Sequence, residues 1–268
     1  MGKKVFLVDC TMCNGCYSCQ IGCKDEHVTN DWTPIAKPQP EIGQFWFKLH
    51  QKVRGTVPKV KVAYRPQMCM HCDNPPCMEA CRYGAKYKRD DGLVIIDPVK
   101  CKGCRNCVEA CPYDSIFFNE DLKIAQKCTG CAHLLDGDHP ICVPRCADNC
   151  HVKVIQFGEE SEFDLSGTEV LHPEYGTSPR VYYRGLPKRF VAGTVYNPDK
   201  NEVYIGAQIT LAGAEGNFAA TTDDWGDFWL NDLPEGDFKL TIQADGKTRS
   251  LDVSTKTADV GLGDIALS

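Results

Sequence analysis

Beyond Cys150 the chain of 268 residues has no cysteine at all, although it holds 18 up to and including that point. That absence marks a composition boundary and predicts two regions of different chemistry. Long apolar runs are also missing: no stretch approaches the ~18–20 consecutive apolar residues of a membrane-spanning helix. Positive charge is in deficit, with a formal net charge of −6, which argues against a nucleic-acid footprint. The N-terminal segment Met1-Gly2-Lys3-Lys4-Val5-Phe6 runs straight into a strand-like stretch, without the look of a secretory leader, so a cytoplasmic setting is expected. Gly2 does not mark N-myristoylation, because Phe6 stands where Ser or Thr is needed. No acid–base pair and no activated nucleophile stands out, so the chain by itself is not expected to be catalytic.

What is present is cysteine in groups. Sixteen of the 18 fall into four sets of four: Cys13, Cys16, Cys19, Cys23; Cys69, Cys72, Cys77, Cys81; Cys101, Cys104, Cys107, Cys111; and a stretched set, Cys128, Cys131, Cys142, Cys146. These are variations on C-x2-C-x2-C-x3-C, the bacterial ferredoxin run. Three thiolates on one tight loop can wrap one iron–sulfur cube, and the fourth, past a short turn, ordinarily serves the other cube of a pair. Adjacent runs two and three are paired here, which leaves runs one and four to pair across the chain. Four [4Fe–4S] clusters are therefore expected: Cys13, Cys16, Cys19 with Cys146; Cys128, Cys131, Cys142 with Cys23; Cys69, Cys72, Cys77 with Cys111; and Cys101, Cys104, Cys107 with Cys81. Disulfides would need an oxidising compartment, and three-cysteine loops overfill a tetrahedral zinc site. Cys10 and Cys150 lie outside the runs and read as buried or incidental thiols.

At this length one or two domains are expected. Residues 1–155 read as a four-cluster ferredoxin-like domain in which strands such as Val5–Asp9 and Leu93–Asp97 lead into cysteine loops. Residues 24–68 form an insertion whose Trp32, Phe45, Trp46 and Phe47 are expected to cover the clusters. Residues 156–189, broken by Pro173, Gly176, Pro179 and Pro187, read as a wrapping linker. Its extended strip Arg180-Val181-Tyr182-Tyr183-Arg184 could meet a partner or bridge domains. Lys102, Arg105, Lys127 and His133 flank cysteines and could raise cluster potentials or simply lie at the surface.

From residue 190 to 268 alternating runs such as Ile205–Leu211 and Phe238–Ile242, separated by turns such as Asp245-Gly246, predict a small all-β sandwich or barrel, making the chain α+β overall. The string Asp223-Asp224-Trp225-Gly226-Asp227-Phe228, then Leu233-Pro234-Glu235-Gly236-Asp237-Phe238, resembles transthyretin-like or Cna-B-like sandwiches. Asp223, Asp224, Asp227 and Asp232 lack EF-hand spacing and read as solvated turn acids.

The order of the runs, with Cys69-Met70-His71-Cys72-Asp73-Asn74-Pro75-Pro76-Cys77 and Lys127-Cys128-Thr129-Gly130-Cys131-Ala132-His133, resembles the four-cluster electron-transfer subunits of the dimethyl-sulfoxide-reductase family. Over nearly its whole length, including Arg145-Cys146-Ala147-Asp148-Asn149-Cys150 and Gly176–Tyr183, the chain is similar to the iron–sulfur subunits of pyrogallol–phloroglucinol transhydroxylases and related phenol hydroxylases and dehydroxylases. The resemblance implies a large catalytic partner, in a heterodimer or a multiple of one, carrying molybdenum or tungsten on two pterin guanine dinucleotides and acting on a polyhydroxylated aromatic. One departure matters. Transhydroxylase subunits lack the cluster of the third run, the outer end of the family's electron wire, whereas Cys81, Cys101, Cys104 and Cys107 are all present here. That implies an external electron carrier. Two other readings stand beside this one: the electron-transfer subunit of a membrane-anchored respiratory reductase, and a free-standing polyferredoxin.

Overall fold

The computed structural model describes residues 2–137 and 140–268. It divides into two compact units, one comprising the residues up to His50 with Tyr64–Leu186, the other Gln51–Ala63 with Pro187–Ser268.

The first unit is organised on the strand Lys4–Asp9, whose apolar stretch Val5–Val8 is buried throughout. A near-continuous apolar run is what a central strand needs, since both of its faces are covered. It pairs antiparallel with Ile155–Glu159 and parallel with Val181–Arg184. Two small hairpins, Lys86–Lys88 with Val94–Ile96 and Phe117–Asn119 with Ile124–Gln126, complete the strands of this unit. Five helices join them: α1 (Ser18–Val28), α2 (Pro76–Glu79), α3 (Asn106–Glu109), α4 (Ala132–Leu135) and α5 (Arg145–Asp148). Trp46 and Phe47 of the insertion are buried in the same core as Cys19, Cys23, Cys69, Cys72, Cys128 and Cys146.

The segment 156–189, expected to be a wrapping linker, is built into the first unit as far as Leu186. Its two ends are strands of the central sheet, and its middle clasps the second cysteine loop. Asp73 N–H and Asn74 N–H donate to the carbonyls of Ser178 and Thr177 at 2.8 and 3.0 Å, and Arg180 N–H donates to Met70 at 2.9 Å. Within the strip, Tyr183 is fully buried and its hydroxyl donates to Pro66 O at 3.0 Å. Arg180, 3% exposed, reaches Asp73 at 3.2 Å. Prolines and glycines exclude helix here, but they do not exclude a strand docked edge-on to a sheet.

The second unit is a sandwich rather than a barrel. One sheet places Arg189–Asn197 between Asp227–Leu233 and Val260–Ala266, with Glu202–Val203 at its end; the other runs in the order Gly216–Thr221, Gln208–Gly213, Asp237–Ala244, Lys247–Ser254. Strict alternation along Gln208–Gly213 and Asp237–Ala244 sends Ile209, Leu211, Phe238, Leu240 and Ile242 inward, as a sheet with one wet face requires. Asp223 is a turn former: its Oδ1 accepts from the N–H groups of Trp225 and Asp227 at 2.9 Å each.

Residues 51–63, expected in the cluster domain, belong to this second unit. They are the distal part of a hairpin formed by Lys48–Thr56 and Lys59–Gln67. Arg54 makes a two-pronged ion pair with Asp259 at 2.6 and 2.9 Å, with both side chains nearly buried. Lys59 meets Asp227 at 2.5 Å, and Lys61 lies 4.6 Å over the Trp229 ring. A buried pair contributes little net stability, but removing one partner strands the other charge. Arg54→Leu should therefore weaken this unit by about 3 kcal/mol, read as faster amide hydrogen exchange along Arg189–Asn197. Unchanged exchange would show that Asp259 finds other solvation.

Candidate iron–sulfur centres

The four cysteine loops share one backbone device. The residue just before the second cysteine of each has positive φ: Gly15 at 74°, His71 at 44°, Gly103 at 67° and Gly130 at 61°. A left-handed residue there turns the chain back on itself, so that successive N–H groups face inward as an anion-binding nest. Glycine takes this conformation without strain, and histidine is among the few other residue types that enter it. The loops also end alike. Cys19, Cys77, Cys107 and Cys146 each occupy the second position of their helices α1, α2, α3 and α5.

That common position departs from the reading of the fourth run. Cys146, not Cys142, stands where the other loops place their third cysteine, and Cys150 lies with Cys13, Cys16 and Cys19. Cys142 is exposed. Cys13, Cys16, Cys19 and Cys150 line one hollow. Cys69, Cys72, Cys77 and Cys111 line a second. Cys81, Cys101, Cys104 and Cys107 line a third. The fourth set, Cys23, Cys128, Cys131 and Cys146, is wholly buried; Cys128, Cys131 and Cys23 each lie close enough to Cys146 to raise its pKa. The elements around Cys150 match those around two other exchanged thiols. After Cys81, Cys111 and Cys150 alike a short turn leads to the next strand, at Lys86, Phe117 and Ile155, whereas Cys146 is followed by the rest of its helix. Close packing fixes the same register: a Cβ on Gly22 of α1 would fall 1.7 Å from Asn149 Nδ2, beside Cys150.

The sets follow one another as neighbours. Cys19 lies close enough to Cys23 and Cys146, Cys69 to Cys128, and Cys77 to Cys107 for one thiol to raise the pKa of the other. The order is Cys13/16/19/150, then Cys23/128/131/146, then Cys69/72/77/111, then Cys81/101/104/107. Cys16 and Cys104, at opposite ends of the series, are exposed, while the second set is buried throughout.

The donor chemistry fits iron. Burial pushes the thiols of Cys19, Cys72 and Cys131 up to about 12 and those of Cys107 and Cys128 up to about 11. Burial raises Cys23 and Cys146 well above the ordinary thiol range too. Anionic sulfur is unwelcome at such sites unless a cation takes the proton's place, and cysteine ligation to iron does this. Among the described residues no group of His, Cys, Asp and Glu converges as one metal ion would require; three of the sets instead line hollows.

The four flanking cations differ. Lys127 is buried, and its Nζ donates to the carbonyls of Val94 and, at 2.9 Å, Cys128; its charge lowers the Cys128 pKa against the larger effect of burial. His133 stacks on Trp32 at 4.2 Å and meets Glu26 Oε1 at 3.0 Å through Nε2. Arg105 is half exposed, lies 3.9 Å over Phe118 and pairs with Glu120. Lys102 is exposed beside the third hollow. Two residues not singled out from the sequence also matter. His27 Nε2 lies 3.8 Å from Cys131 Sγ. Glu26 takes Arg145 Nε at 2.5 Å as well as His133, tying α1 to α4 and α5.

A 4Fe-4S dicluster domain matches residues 60–160, and a carboxypeptidase regulatory-like domain matches residues 191–268. The pyrogallol hydroxytransferase small subunit of Pelobacter acidigallici is 39% identical, with all of both chains covered. A tetrathionate reductase subunit of Salmonella typhimurium is 36% identical over 70% of this chain and 75% of its own. A sulfite dehydrogenase subunit of Allochromatium vinosum is 34% identical over 70% and 85%. Cysteine loops built on one plan, hollows lined by exchanged thiols and similarity over the full length lead to one assignment: the chain belongs to the iron–sulfur subunits of the dimethyl-sulfoxide-reductase family.

Proposed function

We propose that this chain is the electron-transfer subunit of a molybdenum or tungsten bis-pterin enzyme acting on a polyhydroxylated aromatic, and that it relays electrons between that partner and an external carrier through four [4Fe–4S] clusters. The observation that carries the reading is the linear order of four cysteine sets, buried within and exposed at both ends. The ligands would be Cys13, Cys16, Cys19 and Cys150; Cys23, Cys128, Cys131 and Cys146; Cys69, Cys72, Cys77 and Cys111; Cys81, Cys101, Cys104 and Cys107. Bound clusters supply one-electron redox capacity. The protein supplies spacing, burial and hydrogen bonds to sulfur, such as His71 N–H to Cys69 Sγ at 3.5 Å and Val154 N–H to Cys150 Sγ at 3.2 Å.

The aromatic substrate class is favoured by the full-length similarity to a pyrogallol hydroxytransferase small subunit, which includes the β-sandwich; the reductase and dehydrogenase subunits cited above match about 70% of the chain. In the family's order the set containing Cys104 is the outer terminal. No helix among the described residues is long and apolar enough to cross a membrane, and the cytoplasm is the proposed setting.

The test is anaerobic purification from the native host with metal analysis. A large co-purifying subunit with molybdenum or tungsten, and roughly sixteen irons on this chain, four for each cluster, is expected. A single chain carrying iron alone would replace this reading with a polyferredoxin.

A further inference from the structure

We propose that His27 donates a hydrogen bond from Nε2–H to Cys131 Sγ and so raises the reduction potential of the centre assigned to Cys23, Cys128, Cys131 and Cys146; the inference rests on that assignment. The argument starts from helical spacing. Cys23 and His27 are four residues apart on α1, so their side chains project from the same face one turn apart. One helix thus presents a ligand and an imidazole to the same sulfur set. His27 Nε2 is 3.8 Å from Cys131 Sγ, within reach of an N–H···S contact.

Packing fixes the ring. His27 is 1% exposed, with Trp46 at 4.8 Å and an interplanar angle of 42° on one side, and the edge of His133 at 5.3 Å and 80° on another. Glu26, next to His27, is itself held by Arg145 and His133, which pins the end of α1 against α4 and α5. The ring nitrogens then select a tautomer. Nδ1 is buried and has no hydrogen-bond partner among the described residues. A proton on Nδ1 would leave a buried donor unsatisfied and aim the Nε2 lone pair at an anionic sulfur. A proton on Nε2 leaves only an acceptor unsatisfied, the less costly arrangement, and gives the sulfur a donor.

A donor to a ligand sulfur stabilises the more negative, reduced state of its centre. The contact differs in kind from the other hydrogen bonds to these sulfurs. Those to Cys69, Cys101, Cys128 and Cys150 come from backbone N–H groups, and the side-chain partners of Cys72 and Cys16 are the hydroxyls of Thr177 and Ser18. The other imidazole near a sulfur, His151 at 4.0 Å from Cys16, is exposed. A backbone donor is common to any sequence; a buried histidine can be altered without changing the loop.

The experiment compares the wild-type chain, His27→Phe and His27→Gln by EPR-monitored redox titration, with iron counted in each. In His27→Phe one of the four centres should become about tenfold harder to reduce, a downward shift of about 59 mV for a one-electron couple. In His27→Gln, which keeps an N–H of similar reach, most of that shift should be recovered. Full iron with unchanged potentials in His27→Phe would overturn the proposal. A wild-type chain whose iron falls one cluster short would instead overturn the assignment of the centre, and the proposal with it. If His27→Phe does not assemble, pulsed EPR of the reduced wild-type chain labelled with 15N-histidine decides. A weak nitrogen coupling to one centre is expected, and its absence would overturn the hydrogen bond.

Discussion

Cys150→Ser should cost the protein about a quarter of its iron, one cluster of four, while Cys142→Ser should leave the iron content unchanged. The contrast is large because it is close to all-or-none: a buried loop of three thiolates without its fourth partner holds its cluster poorly, and an exposed thiol outside the set holds none. Cys150 lines the same hollow as Cys13, Cys16 and Cys19. The pKa of Cys19 is raised chiefly by burial and then by Cys150 among its neighbouring thiols. Cys142, by contrast, is exposed, and the α5 position that third cysteines occupy in the other loops belongs to Cys146. Iron and acid-labile sulfide per chain, with EPR of the reduced protein, give the readout. The reverse pattern, iron lost with Cys142→Ser and kept with Cys150→Ser, would restore the ligand set expected from spacing alone.

The second large effect concerns the outer terminal. The complex of this chain with its catalytic partner should not turn over without an external electron donor or acceptor. A Cys101→Ser/Cys104→Ser chain should lose nearly all exchange with such a carrier and keep about three quarters of its iron. Cys104 is exposed, and its set stands at one end of the series, next to the Cys69/72/77/111 set. Removing that end breaks the path to the outside and leaves the path toward the partner intact. The measurement pairs carrier-linked turnover with single-turnover reduction of the remaining centres by substrate. Turnover in the absence of any carrier would mean that the reaction is redox-neutral, and the third set would then be without a role in it.

Much of the site was legible locally. The C-x2-C loops announce themselves because three ligands to one cluster must come from one tight turn, and the glycines at positions 15, 103 and 130 mark where the chain reverses. The sandwich was legible for the same kind of reason: Gln208–Gly213 and Asp237–Ala244 alternate because each has one wet face and one dry one. Spacing alone misread the fourth run. Cys142 and Cys146 sit at the same separation as Cys146 and Cys150, so counting residues cannot choose between the two pairs. The choice depends on which of them begins a helix packed against α1 at Gly22. His27 was illegible for a related reason, since a histidine four residues after a cysteine is ordinary until Cys131, more than a hundred residues away, is brought against it.

By itself, then, the sequence determined the chemistry: thiolate loops for iron, an acidic surface charge, a cysteine-free β-region, and a family. These are properties of neighbours in the chain, set by ligand type, turn geometry and the period of burial. Tertiary structure alone grouped Cys150 with Cys13, Cys16 and Cys19, and Cys146 with Cys23, Cys128 and Cys131; it also decided that the sets follow one another in a series with exposed ends, that residues 51–63 belong with the sandwich through the Arg54–Asp259 pair, and that Val181–Arg184 is a strand of the central sheet. Each of these is a contact between segments far apart in sequence. It is settled by close packing and by the pairing of buried polar groups, which a local pattern does not encode.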